Sequence, residues 1–221
     1  MSVLKAGGDD SGRRPRRIPL FANLLILVGA GLLVSPISHY VTGVRAQAGA
    51  SVPSPAIREA GPIPIGDAVG RLEIPRVGLD FAVFEGVSES VLRKGPGHIP
   101  GTACPGLAAE PGNCVIAGHR DSFFRRLAGA REGDVVRFRS GPDERSYLLT
   151  TRRIVLPGEF GVMAPTAEAR LTLITCYPFE WTGSAPYRLV WEASPLAETN
   201  ASASTALGEV QRTRGRPASA R

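Results

Sequence analysis

The sequence predicts an all-β fold, a closed eight-stranded barrel with short helices, preceded by one transmembrane helix. The chain has 221 residues and is 43% hydrophobic, which is enough for one folded core with extensions. It contains 26 glycines and 19 prolines but only 6% aromatic residues, a composition that favours a loop-rich β fold over a helical bundle. Short apolar, β-branched runs alternate with glycine and proline turns, which indicates many short strands.

The first 44 residues predict a membrane anchor. Residues 1–19 carry five basic and two acidic side chains, whereas residues 18–44 contain no Asp, Glu, Lys or Arg. This pattern predicts a basic cytoplasmic N-terminus over 1–19, a membrane-spanning helix over 20–44 and an extracytoplasmic position for everything that follows. A cleaved signal peptide is the alternative, because Ala46-Gln47-Ala48 resembles an A-x-A cleavage site. The length of the uncharged stretch favours the uncleaved anchor.

The flanking segments differ from the domain in composition. Residues 45–69 are rich in Ala, Gly, Pro and Ser and predict a flexible linker, and residues 196–221 predict a disordered tail. The folded domain is therefore expected over 70–195. The net charge of +6 lies mostly outside it, with +3 in residues 1–19 and +2 in residues 193–221. This distribution argues against a nucleic-acid-binding core.

Apolar runs and turn residues predict the elements of the domain. Short helices are expected at 88–93, with Ser88 as the N-cap, and from Asp121 onward, with Phe123, Phe124 and Leu127 facing inward. Residues 95–102, GPGHIPGT, contain too much glycine and proline for a regular element. Strands are expected at 71–74, 79–84, 113–117, 135–139, 146–156, 171–176 and 188–191.

Three residues from three separate segments predict a catalytic site. The strand at 171–176 ends in Cys176, and twelve residues later Arg188 opens the next strand, so both residues can lie at the same end of a sheet. His119 follows a buried strand in the sequence AGHRD. Acyl transfer needs a nucleophile, a proton shuttle and a donor for the oxyanion, and these three residues supply them. Structural roles are the alternatives: a buried core cysteine, a structural histidine and a surface arginine.

The other two histidines are the alternatives to His119 as the proton shuttle. His39 lies in the segment expected at the membrane interface and is excluded on that ground. His98, in GPGHIPGT, is the competitor and could be a shuttle, a supporting residue or a turn residue. Arg120 and Asp121 adjoin His119, and we expect Asp121 to cap a helix and Arg120 to pair with it.

The segment TLITCYPFEWTGSAPYR at 172–188, with matching segments at 70–102 and 112–127, resembles the sortases and is most similar to class D. Sortases are membrane-anchored cysteine transpeptidases of bacterial surfaces. The resemblance implies that Cys176 cleaves an LPxTG-like sorting signal on surface proteins through a thioester. His119 and Arg188 would assist, and an amine on the cell wall, envelope or pilin would accept the acyl group.

We expect Thr175, Tyr177 and Ser184, within or beside the loop after Cys176, to bind the substrate. No cofactor is implied by the resemblance. The three histidines and three cysteines have no short ligand spacings, so no metal site is predicted. Some sortases bind calcium through acidic loops, and no acidic cluster of that kind is present.

Cys104 and Cys114 depart from the family pattern, in which these positions are usually apolar. Ten residues apart in an extracytoplasmic domain, they could form a disulfide that closes the loop 103–113. Two small buried thiols are the alternative.

Proteins of other classes fit the sequence less well. A papain-like peptidase would carry its cysteine early in the domain on a helix, and an L,D-transpeptidase would carry an SHGC-type motif that is absent here. The non-enzymatic alternative is an anchored β-domain that binds an extracellular peptide or partner and has an inert Cys176.

Overall fold

The computed structural model describes residues 20–50, 62–103 and 111–196. The predicted cytoplasmic segment, residues 51–61 of the predicted linker and all but the first residue of the predicted tail lie outside these ranges. Cys104 also lies outside them, so the predicted disulfide with Cys114 is not described. The chain divides into two compact units, residues 1–42 and residues 43–221.

Helix α1 runs over Leu20–Gly49 without interruption. Several of its apolar side chains are exposed, among them Leu25, Leu27 and Leu32. In the portions of the chain that the structure describes, no helix combines the length and the apolar character needed to cross a membrane. The helix also continues past residue 44, where the sequence had predicted that the anchor ends.

The second unit is a closed barrel of eight strands, which confirms the predicted architecture. The strands are β1 (Ala68–Ile74), β2 (Leu79–Glu85), β3 (Gly97–His98), β4 (Gly112–Gly118), β5 (Val135–Ser140), β6 (Asp143–Val155), β7 (Ala169–Tyr177) and β8 (Tyr187–Pro195). Around the barrel the strand order is β1-β2-β3-β4-β7-β8-β6-β5. The pairs β2–β3 and β4–β7 are parallel and the other six pairs are antiparallel.

The alternation of the strand sequences explains which faces form the core. In β5, Val136 and Phe138 are buried and Arg137 and Arg139 are exposed, as the period-two pattern predicts. Trp191, on β8, is the largest fully buried side chain and packs with other strand residues in a single main cluster. In β5, burial of the apolar face inside the barrel sets the inward and outward alternation, whereas β4 and β7 have consecutive buried residues.

Strand β3 lies in a segment that the sequence had predicted to be irregular. It has only two residues and pairs with β2 on one side and with β4 on the other. A Cβ atom at Gly97 would come within 2.1 Å of the Gly86 carbonyl oxygen, so only glycine allows the backbone to approach this closely. The glycine-rich composition is therefore what permits this strand, although locally it resembles a loop.

The short helices differ from the predictions in detail. Helix α2 spans Glu89–Leu92, but Ser88 makes no side-chain capping bond, and its hydroxyl lies 3.0 Å from the Ser90 hydroxyl instead. The helix predicted from Asp121 is a 3₁₀ helix over Arg125–Gly129. Phe124 and Leu127 are buried, as predicted, and Phe123 is half-buried.

Part of the predicted linker is ordered structure. Residues 45–49 are helical, and the Gln47 amide donates to the carbonyls of Ala82 and Lys94, both at 3.0 Å. The Ala82 N–H donates to Gln47 Oε1 at 2.7 Å. Because β3 covers only two residues of β2, the Gln47 amide satisfies backbone groups at an edge of β2 that no strand pairs.

A buried carboxylate ties two turns of the barrel together. Asp134, at the start of β5, is 6% exposed, and Arg76 donates from Nε and Nη2 to its two oxygens, the second at 2.6 Å. The Arg131 N–H donates to the same carboxylate at 2.8 Å. The hydrogen bond from Arg76 lowers the pKa of Asp134 below its ordinary value, although partial burial acts in the opposite direction.

We predict that Asp134→Asn lowers the free energy of unfolding at pH 7. The pKa of Asp134 is lower in the folded state than in the unfolded state, so the carboxylate stabilises the fold fully above about pH 4 and progressively less as the pH falls toward the folded-state pKa. Urea unfolding at pH 7 and at pH 3 measures this. The loss in free energy of unfolding caused by Asp134→Asn should be smaller at pH 3 than at pH 7. The control, Asp143→Asn at an exposed position, should show no such dependence on pH. A deficit that is independent of pH would contradict this assignment.

Candidate active site

Strand β7 brings the three predicted catalytic residues to one rim of the barrel. In the parallel pairing with β4, Gly118 lies opposite Thr175, so His119 and Cys176 each follow one member of this pair. In the antiparallel pairing with β8, Cys176 lies directly opposite Arg188. Neighbouring strands lie about 4.8 Å apart, and directly opposed residues share a face of the sheet. Cys176 therefore lies between the His119 segment and Arg188.

The thiol of Cys176 lies at the boundary between core and solvent. Thr175 beside it is 2% exposed, whereas Cys176 is half-buried. The Thr175 hydroxyl donates to the Gly118 carbonyl at 2.7 Å, which links β7 to the residue before His119. The Thr175 hydroxyl is thus buried and bonded to the backbone of β4, and a contact between Thr175 and substrate stays a prediction.

Arg188, opposite Cys176 in the strand pairing, bonds to backbone carbonyls of its own segment. Its Nη1 donates to the carbonyls of Ala185 at 3.2 Å and Tyr187 at 2.9 Å. No carboxylate among the described residues forms an ion pair with Arg188. A guanidinium has five N–H donors, and both bonds described here leave from Nη1. Arg188 can therefore donate to an oxygen that gains negative charge beside Cys176.

His119 is half-buried at the rim and faces an acidic side chain that the sequence analysis did not identify. Its Nε2 lies 3.6 Å from Glu89 Oε2, on helix α2, and Glu89 also receives a 3.0 Å bond from Arg93. These groups are exposed enough for water to screen the contact, so its energy is small. His119 remains accessible for proton transfer.

His98 is a structural residue. It is 3% exposed, and its Nδ1 lies 2.8 Å from the carboxylate of Glu85, which is 7% exposed. Its Nε2 lies 3.0 Å from both the Ala103 carbonyl and the Thr102 hydroxyl. Both ring nitrogens are engaged inside the protein, so of the two competing histidines only His119 is placed to exchange protons with a substrate.

Tyr177 and Ser184 lie in the segment that joins Cys176 to Arg188. The Tyr177 ring makes an edge contact with Phe179 and lies 5.7 Å from the Arg152 guanidinium. Ser184 is exposed, and its carbonyl accepts a 3.0 Å bond from the Trp181 indole. Tyr177 directly follows Cys176 in the chain, and the contact of Tyr177 and Ser184 with substrate remains a prediction.

The loop between β6 and β7 is attached to the barrel by a buried amide. The Asn113 side chain donates to the carbonyls of Val162 at 2.9 Å and Ala164 at 3.2 Å, in the loop before β7. The Thr172 hydroxyl donates to Asn113 Oδ1 at 2.6 Å. This network joins β4, β7 and the loop.

Within the described ranges, no group of three or more His, Cys, Asp or Glu side chains could hold a metal ion.

Comparisons with known proteins identify the class of protein that this barrel and rim define. The Sortase domain family matches residues 72–196, and the chain belongs to the sortase family. This confirms the resemblance that the sequence segments indicated. A region of 126 residues is 35% identical to Sortase D of Bacillus subtilis (strain 168) and covers 57% of this chain and 62% of that protein, which is less than two thirds of it.

Solved structures of sortases share the fold. A Clostridium perfringens sortase D5 transpeptidase superposes with a TM-score of 0.61 at 23% identity, over 71% of this chain and 99% of that chain. A Clostridium perfringens sortase C with the C-terminal cell wall sorting motif superposes with a TM-score of 0.55 at 25% identity, over 61% of this chain and 73% of that chain.

We predict that His98→Ala lowers the free energy of unfolding by about 3 kcal/mol, because it leaves the buried Glu85 without its partner. The matched control is His119→Ala, at a half-exposed histidine, which should change it by less than about 1 kcal/mol. Urea unfolding of both variants at pH 7 measures the difference. Equal stability of His98→Ala and the unmodified protein would contradict the structural role of His98.

Proposed function

We propose that this protein is a cysteine transpeptidase that cleaves a peptide sorting signal and transfers the acyl part to an amine. The observation that carries the proposal is the position of Cys176, directly opposite Arg188 and beside the His119 segment. Membership of the sortase family supports the same reaction class.

The proposed first half-reaction forms a thioester. The Cys176 thiolate attacks the carbonyl carbon of the scissile amide, and the carbonyl oxygen becomes an oxyanion. Arg188 donates to this oxygen and stabilises the negative charge. As the carbon–nitrogen bond breaks, the imidazolium of His119 protonates the departing amine. The products are an acyl-enzyme thioester and a free amine.

The second half-reaction reverses these roles with a new amine. The acceptor amine attacks the thioester carbonyl while neutral His119 removes its proton. The Cys176 thiolate then leaves, and a new amide bond forms. A thioester reacts far more readily with amines than an ester does, so transfer can compete with hydrolysis.

The proposed substrates are surface proteins with a C-terminal LPxTG-like signal, and the acceptor is an amine on the cell wall, envelope or pilin. One similar structure is described as a sortase C with the C-terminal cell wall sorting motif, which supports this substrate class. We propose that the loops at 157–168 and 178–186 flank the thiol and contact the signal.

We also propose that the barrel lies outside the cytoplasm on a single membrane anchor. The support comes from the sequence: four arginines just before residue 18 and no charged residue over 18–44. Some of this stretch lies outside the described residues. A sorting-signal transpeptidase also needs its substrates and its acceptor on the outer side of the membrane.

We predict that Cys176→Ala abolishes peptide transfer and that Arg188→Ala lowers kcat by about 10²- to 10³-fold, because the oxyanion loses its donor. The test incubates full-length protein in detergent with an LPxTG-containing peptide and an amine, and reads the product by mass spectrometry. Arg126→Ala, at an exposed arginine distant in sequence from the thiol, is the control and should leave the rate unchanged. Transfer that persists in Cys176→Ala would favour a binding domain with an inert thiol.

We predict that the full-length protein stays with the membrane after a carbonate wash and that protease added to intact protoplasts digests the barrel. Leu27→Arg should weaken membrane retention, since arginine at the centre of a span costs about 2.5–3.5 kcal/mol, and Leu27→Ala is the control. Recovery in the carbonate supernatant, or a barrel protected in intact protoplasts, would contradict the anchored, extracytoplasmic position.

A further inference from the structure

Arg120, the residue after His119, contacts a different part of the site. Its Nη1 donates to the Pro178 carbonyl at 3.2 Å. Its Nη2 donates to the carbonyls of Trp181 at 2.7 Å and Gly183 at 2.9 Å. The expected ion pair with Asp121 is not among its contacts in the described residues. Arg120 instead crosses from the end of β4 to the loop that joins Cys176 to Arg188.

The Arg120 guanidinium lies among three backbone carbonyls of this loop. Pro178, Trp181 and Gly183 fall within six residues, and their oxygens point toward one guanidinium. Three carbonyl dipoles that meet at one point repel each other unless a positive charge with several donors separates them. A planar guanidinium supplies both the charge and the fork of N–H groups, which lysine cannot match.

The loop that Arg120 contacts also forms a hydrogen bond with Arg188. The Ala185 carbonyl, two residues after Gly183, accepts a bond from Arg188 Nη1. The Trp181 indole N–H donates to the Ser184 carbonyl and closes the short turn at 181–184. A chain of contacts thus leads from Arg120 through residues 178–185 to Arg188. A further contact to the loop is an exposed ion pair between Arg125 and Glu180 at 3.3 Å, which contributes little to its stability.

We propose that Arg120 is a positioning residue for the reaction, which holds the loop 178–186 in place and thereby aims Arg188 at the oxyanion beside Cys176. Its effect on the reaction rests on the proposed transpeptidase function. Its effect on the loop does not. Arg120 touches neither the thiol nor, by this proposal, the substrate carbonyl. Because His119 and Arg120 are adjacent, one segment carries both the proton shuttle and the side chain that holds the loop 178–186 in place.

The test of the loop uses tryptophan fluorescence. The chain has two tryptophans, Trp181 in the loop, 49% exposed, and Trp191 in the core, 1% exposed. Acrylamide should quench the Trp181 emission of Arg120→Gln with a larger Stern–Volmer constant than in the unmodified protein, because Trp181 loses its fixed environment. The unquenched emission of Trp191 reports that the barrel core is intact. Arg125→Gln, which changes the exposed contact to the same loop, is the matched control.

The test of the reaction is a double-mutant cycle with full-length protein. Arg120→Gln should lower kcat/KM by about 10- to 100-fold, mainly through kcat, because a displacement of about 1 Å at Arg188 can cost this much. In an Arg188→Ala background the same change should cost less than about threefold, since the group through which it acts is already absent. Arg125→Gln should cost less than about twofold in either background.

Each outcome decides a separate statement. Unchanged quenching in Arg120→Gln would overturn the claim that Arg120 holds the loop. Increased quenching with additive kinetic losses would overturn the claim that it acts through Arg188. If the unmodified protein transfers no peptide, the proposed function fails, and the quenching result alone then decides whether Arg120 holds the loop.

Discussion

The pairing of β7 with β4 on one side and β8 on the other is the constraint on which the site depends. Seven residue pairs join β7 to each neighbour, and the buried faces of Leu173 and Trp191 hold the register in the core. A slip of one residue would turn Cys176 to the opposite face of the sheet. The same slip would separate it from Arg188 and from the segment that carries His119. The chemistry at the rim is thus fixed by apolar burial below it.

Polar groups divide between support and chemistry according to their burial. The buried side chains of His98, Thr175 and Asn113 each satisfy backbone or carboxylate partners, and in doing so they attach loops and strands to one another. The half-buried side chains of Cys176 and His119 lie at the rim, where a substrate can reach them. A buried polar group that leaves its partner unsatisfied is costly, so these supporting contacts are not available for proton or acyl transfer.

The sequence was sufficient for the features that depend on local pattern. Period-two alternation predicted β5, an apolar run ending in Cys176 predicted β7, and motif spacing predicted that Cys176 and Arg188 would meet. The features that it missed depend on partners distant in the chain. Two residues form β3 only because β2 and β4 lie on either side, and the Arg120 bonds join residues about 60 positions apart. Side-chain bonds to distant backbone carbonyls leave no periodicity or composition signal in a single sequence.

We propose that thiol, imidazole and guanidinium act on one scissile carbonyl. A crystal structure of the protein with a sorting-signal peptide analogue attached covalently to the Cys176 sulfur tests this proposal. We expect Arg188 to donate to the oxygen of the carbonyl bonded to Cys176 and His119 to lie within hydrogen-bond reach of the leaving-group position. A complex in which either side chain faces away from that carbonyl would contradict it.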